Sequence, residues 1–109
     1  MSTAENVFER RYYLKDKSPN EPEVIVSLSQ PSKSGSDYCH CQYKIAWQGQ
    51  TTSGEIRGID EIDALRSGLA MIGSWVHGLN ESEYQHRLVW EGGEGGDLGV
   101  PTIETSGGF

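Results

Sequence analysis

A single helix has to serve every strand this chain can make. Between Asp60 and His77, the residues Ile62, Leu65, Leu69, Ile72 and Val76 recur at three- and four-residue steps. That spacing places them on one stripe of an α-helix. Asp60 is suited to the N-cap, where its carboxylate accepts an orphan N–H of the first turn. Glu61 and Asp63 add negative charge at the positive end of the dipole. Gly78 fits the position just past the last turn. The spacing predicts a helix over residues 60–77.

The segments before it alternate instead. In "NVFERRYYL", Phe8, Tyr12 and Leu14 share one face, with Val7, Glu9, Arg11 and Tyr13 on the other. "EVIVSLS" puts Val24, Val26 and Leu28 together. "YCHCQYKIAW" and "TTSGEIRGI" read as two more strands, joined by a hairpin turn around Gly49. Gly54 marks a bulge or a close approach. After the helix, Leu88 and Trp90 face inward from a short strand. The order is β-β-β-β-α-β. Short connections make an antiparallel meander of four to five strands, and one helix with one apolar stripe covers one face of it. The expectation is an α+β two-layer sandwich, one domain over residues 1–109. Residues 92–109 read as a Gly-rich acidic tail, partly docked through "LGVPTI" and frayed at its end.

Bulk properties narrow the function. The net charge is −7, and phosphate affinity needs clustered Lys and Arg, so nucleic acid is not an expected partner. Residues 80–109 hold six acids against one base, Arg87, which suits a solvated acidic surface or one that meets a basic partner. No apolar run approaches the roughly 18 residues of a membrane span, so no membrane partner is expected. "MSTAENVFERR" shows no apolar leader core. The expected compartment is a reducing cytoplasm, where Cys39 and Cys41 stay thiols.

The side of the helix opposite the stripe shows Asp63, Ala64, Ser67, Ala70, Met71 and Ser74, with Trp75 and Gly68 on a flank. A solvent-facing helix usually carries Lys and Glu there; this one is small and bland. Three arrangements fit: a plainly exposed helix, a C-terminal tail folded over it, or a partner or second copy packed against it. Ser67, Ala70, Met71, Ser74 and Trp75 are the candidate interface.

Cys39, His40 and Cys41 raise the question of a metal or thiol site. Zinc needs three or four ligands converging on one ion. On a strand, side chains alternate, so Cys39 and Cys41 join Tyr43, Ile45 and Trp47 on the inner face. Tyr38, His40, Gln42 and Lys44 point out. His77 and His86 are nine residues apart and form no zinc pair. Core cysteines are the expectation, with no catalytic, metal or cofactor residue assigned. "EGGEGGD" lacks the Lys and Ser/Thr of a phosphate-binding loop, and calcium binding by Glu91, Glu94 and Asp97 lacks the ligand order of an EF-hand.

"CQYKIAW", "RGIDEIDALRSGLAMIG" and "VWEGGEGGDLGVP" resemble a family of small, mostly bacterial domains of unknown function. The matching positions are Tyr43 and Ile45; Gly58, Asp60, Ala64, Leu65, Ile72 and Gly73; and Asp97, Leu98, Gly99 and Pro101. The resemblance implies a capped helix and a tail that docks in a defined place. It implies no activity.

The functional expectation is a non-enzymatic protein-interaction module, escort- or immunity-like by analogy only, or a homodimer. The alternative is a small enzyme or ligand- or metal-binding domain using Cys39, Cys41 and the nearby His40, His77 or His86.

Overall fold

The computed structural model of the chain describes residues 6–17, 20–33, 38–93 and 97–101. Along the chain come β1 (Asn6–Leu14), β2 (Val24–Ser29), β3 (Cys39–Trp47), β4 (Gln50–Gly58), α1 (Glu61–Ser82) and β5 (Leu88–Val89). The strands form one open sheet in the order β4-β3-β2-β1-β5. Every pairing in it is antiparallel. With α1 packed on one face, the architecture is the two-layer α+β arrangement that the alternation and the single stripe predicted.

Register follows from the turns. Gln48 and Gly49 both have positive φ, 48° and 75°, the requirement of a two-residue type I′ hairpin. The turn fixes Trp47 opposite Gln50, and pairing then runs unbroken to Cys39 opposite Gly58. Gly54 is therefore no bulge. Tyr43 sits across from it, and a Cβ there would lie 2.8 Å from the Tyr43 ring, so the glycine is a bed for the aromatic ring.

The core forms between α1 and the inner sheet face. Tyr12, Val24, Val26, Leu28, Cys41 and Ile45 meet Ala64, Ile72 and Val76, all of them buried. Fully burying a Val, Leu or Ile contributes about 1.5–3 kcal/mol. α1 is capped as its sequence dictates. The Asp60 carboxylate accepts from the Asp63 N–H at 2.8 Å, and the Asp63 carboxylate accepts from the Ile59 N–H at 2.8 Å.

Two expectations about the helix are corrected. It does not stop at Gly78 but continues to Ser82. Tyr84 and the turn beyond it, with Gln85 and His86 at positive φ, do the stopping. Asn80 is then buried rather than beyond the helix, and its side-chain oxygen accepts the Leu88 N–H of β5 at 3.0 Å. The buried arc is also wider than the stripe and centred elsewhere. Ile62 is 76% exposed, whereas Ala64 and Gly68 of the supposed bland side face the sheet. Small residues let the helix axis come close: a Cβ on Gly68 would lie 2.6 Å from Leu28. Large apolar residues at that contact would hold the helix away.

Residues 97–101 close the inner face over β1 and β5. Leu98 is buried, its carbonyl accepts the Tyr12 hydroxyl at 2.6 Å, and Arg10 donates to the carbonyls of Leu98 and Gly99 at 3.2 and 2.9 Å. The Trp90 indole N–H donates to the Asp97 carbonyl at 2.9 Å. The Pro101 carbonyl lies against Gly73. The expected fraying of residues 104–109, and the docking expected of Thr102 and Ile103, lie outside the described residues.

The helix boundaries are checkable by two substitutions. Gly78→Ala should raise stability by about 0.5–1 kcal/mol, because Gly78 is an exposed interior helix position with open space around its Cα. Gly58→Ala should lower it by about 1–3 kcal/mol, because a Cβ there meets the Ala64 backbone. Urea unfolding midpoints measure both; destabilisation by Gly78→Ala would mean the helix ends where the glycine stands.

Candidate functional site

The chemistry-bearing side chains are dispersed. Cys39 and Cys41 are both buried and unpaired, and the Cys41 thiol donates to the Ala64 carbonyl at 3.4 Å. Burial pushes that thiol up from its ordinary 9.0, the wrong direction for a nucleophile at neutral pH. His40 lies on the other face of the sheet, its Nδ1 3.4 Å from the Glu55 carboxylate. His77 is on the tail side of α1, with Nε2 3.2 Å from the Val100 carbonyl. His86 is exposed in the turn after the helix. Among the described residues, no three His, Cys, Asp or Glu side chains converge in the way a metal ion requires. The Asp97 carboxylate accepts the Gly99 N–H at 2.8 Å, so it shapes the tail turn. Glu94 lies outside the described residues.

One charged group was missed in reading the strands. Arg10 is on the inner face of β1, opposite Val26. Its guanidinium stacks 3.6 Å from the Trp90 ring and 5.0 Å from that of Phe8. Strict alternation from Phe8 to Tyr12 already places it there. The tail carbonyls and the two rings explain how the cation is accommodated. Burial pushes the Tyr12 hydroxyl up, while Arg10 beside it pulls it down. Gly99 has φ +69°, and a Cβ would collide with Arg10 and Trp90. Only glycine fits that corner.

The surfaces offer more than the side chains. The outer sheet face forms an open trough of about 810 Å3, with Ile25 and Ala46 among Ser27, His40, Gln42 and Lys44. On the helix, Trp75 packs against Trp47 with ring centroids 5.5 Å apart. Ser74 and Trp75 line a shallow groove of about 240 Å3 with Gly78 and Ser82. Ser67, Ala70 and Met71 are half-buried and Ser74 is exposed. At about 100° per residue, Ser67 and Met71 lie on the flank of α1 away from Gly73 and His77, where the tail docks, whereas Ser74 is on the back of the helix and Ala70 is on the tail side, two turns before His77. The described tail therefore leaves the flank of Ser67 and Met71 uncovered. Among the described residues the sheet also has an open edge: β4, nine residues long, is last in the strand order.

Together these features define a small α+β domain whose second covering element is its own returning tail. The chain belongs to the family of domains of unknown function DUF6968, whose family model matches residues 8–102. No match was found among curated proteins, and none among solved structures. No helix among the described residues is long and apolar enough to cross a membrane.

The buried protons give a pH dependence. Burial raises Cys41, Tyr12 and Tyr84 above their ordinary values of 9.0, 10.0 and 10.0, with Glu23 adding to the effect on Tyr84. The folded chain holds these protons more tightly than the unfolded one. Their contribution is complete below the ordinary values and is lost as pH rises from about 9 toward the folded values. Urea midpoints should be flat from pH 7 to about 9 and fall from there to pH 11. Tyr12→Phe should cost about 1 kcal/mol at pH 7 for its lost bond to Leu98 and make the fall above pH 10 shallower. A midpoint that rises over that range would contradict the assignment.

Proposed function

We propose that this chain is a non-enzymatic protein-interaction module working in the cytoplasm, where its two buried thiols stay reduced. The observation that carries the proposal is the coincidence of an open nine-residue strand edge with a helix flank that lacks Lys and Glu. Ser67 and Met71 stand there, beside Trp75, with Ser74 at its margin. An edge strand presents unpaired N–H and C=O groups in a row and can template further pairing. Small side chains permit another backbone to approach. The histidines and cysteines, by contrast, are held on three different surfaces and in the core.

The test uses the full chain, tagged and incubated with native lysate at low and high salt. Ser67→Arg should lower recovery of the bound partner by about ten-fold or more, since a long charged side chain at a packed interface costs several kcal/mol when left unpaired. Lys44→Glu, on the outer trough, should leave recovery unchanged. Circular dichroism confirms that both variants fold. A parent protein that binds nothing at either salt would defeat the reading.

A further inference from the structure

We propose that the partner of the β4 edge is a second copy of this chain, joined by antiparallel β4–β4 pairing about a two-fold axis at Ile56. The inference rests on the interaction reading above and names the occupant of that surface.

The backbone polarity of the edge comes first. In a two-residue hairpin the residues flanking the turn exchange both backbone hydrogen bonds, and bonded and unbonded pairs alternate from there. With Trp47 opposite Gln50, the residues Gln50, Thr52, Gly54, Ile56 and Gly58 aim their N–H and C=O groups at β3. Thr51, Ser53, Glu55 and Arg57 aim theirs at the open edge. His40 corroborates the alternation: opposite Arg57, it exchanges both of its backbone bonds with Ser32 on its other side, each at 2.9 Å.

Register is set by side chains. Glu55 and Arg57 are both exposed, on the outer face and 3.4 Å apart. Pairing centred on Glu55 would set two glutamates directly opposite each other, which is unfavourable. Pairing centred on Gly54 sets Glu55 against Ser53 and leaves the charges unmatched. Centring on Ile56 sets Glu55 against Arg57 of the second copy, twice, and Ile56 against Ile56 on the inner face. Both charged pairs are then hydrogen-bonded pairs, so the outward N–H and C=O groups of both residues find partners. Ile59, 83% exposed just beyond β4, comes to lie opposite Ser53 of the second copy.

The helix agrees. Ala64 sits over Gly58 of β4, and Trp75 packs on Trp47 beside the start of β4. Asn80 instead reaches β5 and Gly73 meets the tail. The flank of α1 carrying Ser67 and Met71 therefore leans toward the β4 edge. Pairing at that edge continues the sheet to ten strands with both helices on one face, bringing two small-residue flanks toward each other. β4 carries no proline, no lysine and no bulge, and its charges, Glu55 and Arg57, are of opposite sign, so they repel a like-charged strand but not their own reversed image.

Sedimentation of the full chain from about 1 µM to 1 mM tests the proposal. The parent should shift from 12.0 kDa to twice that mass. Glu55→Arg and Arg57→Glu, each placing like charges opposite one another, should weaken the dimer about ten-fold or more. The double variant, which restores opposite charges, should return it to within about three-fold of the parent. Amide exchange gives an independent readout. The Glu55 and Arg57 amides should slow with concentration, while that of Ile56, already bonded to β3, should not change. A parent that stays monomeric to 1 mM, or a double variant no better than the singles, overturns self-pairing. A monomeric parent that still captures a lysate partner sinks this inference alone, and a monomer that captures nothing sinks both.

Discussion

The width of one helix is the constraint on which the rest of this structure depends. A helix with its side chains is about 10–12 Å across, and strands lie about 4.8 Å apart. Five strands span about 19 Å, nearly twice the helix. α1 packs over β2, β3 and β4, so the inner faces of β1 and β5 need another cover. The segment from Asp97 to Pro101 supplies it. Leu98 fills the space above Tyr12, and the backbone around it takes up the polar tips of Tyr12, Arg10 and Trp90. A strip of chain without regular structure thus does the work of a second helix.

That cover is held by a narrow margin. Ordering five residues costs roughly 5–10 kcal/mol. Against it stand the burial of Leu98, about 2–3 kcal/mol, and five hydrogen bonds between tail and body at about 1 kcal/mol each. The terms are of equal size, so the docking needs each of its contacts. This accounts for the company Arg10 keeps. A cation on the inner face would be a liability under an apolar cover. Under a strip of backbone carbonyls, between two aromatic rings, it satisfies acceptors that helix or sheet would otherwise have to satisfy.

The fold was legible because its periods are clean. Alternation placed Cys39 and Cys41 inside and His40 outside, and the hairpin around Gly49 fixed the register of β3 and β4. The errors share a cause. Weighing residues by size put Ile62 in the core and Ala64 and Gly68 outside it. The contact with the sheet selects for closeness, so the smallest residues face the crossing and the largest lie toward the sides. Gly78 misled for a related reason: a glycine near the end of a stripe reads as a stop, while the stop here comes from Tyr84 and the positive-φ residues after it. The role of Arg10 was hidden, since nothing local to "ERRYY" reveals that five residues from the far end of the chain will bring carbonyls to it. The surface flank of α1 was legible as bland, but which neighbour it leans toward depends on the diagonal of the helix, a property of packing alone.

The open edge is a consequence of chain order. A meander laid down as β2 beside β1, β3 beside β2 and β4 beside β3 leaves its first and last strands at the margins. The chain returns after α1 and adds β5 to β1, which closes one margin with a two-residue strand too short to template anything. Among the described residues nothing of the kind happens at β4, where the chain leads up into the helix. One margin is thus blunted by the fold itself and the other is left long, regular and charged in an alternating sense. Glu55 and Arg57 on one face, two residues apart, cannot satisfy a flat partner of single charge. They can satisfy their own reversed image, because antiparallel pairing inverts the order of the two signs. The same reversal carries the bland helix flank toward its equivalent. An edge and a flank that look unrelated along the sequence thereby become one surface.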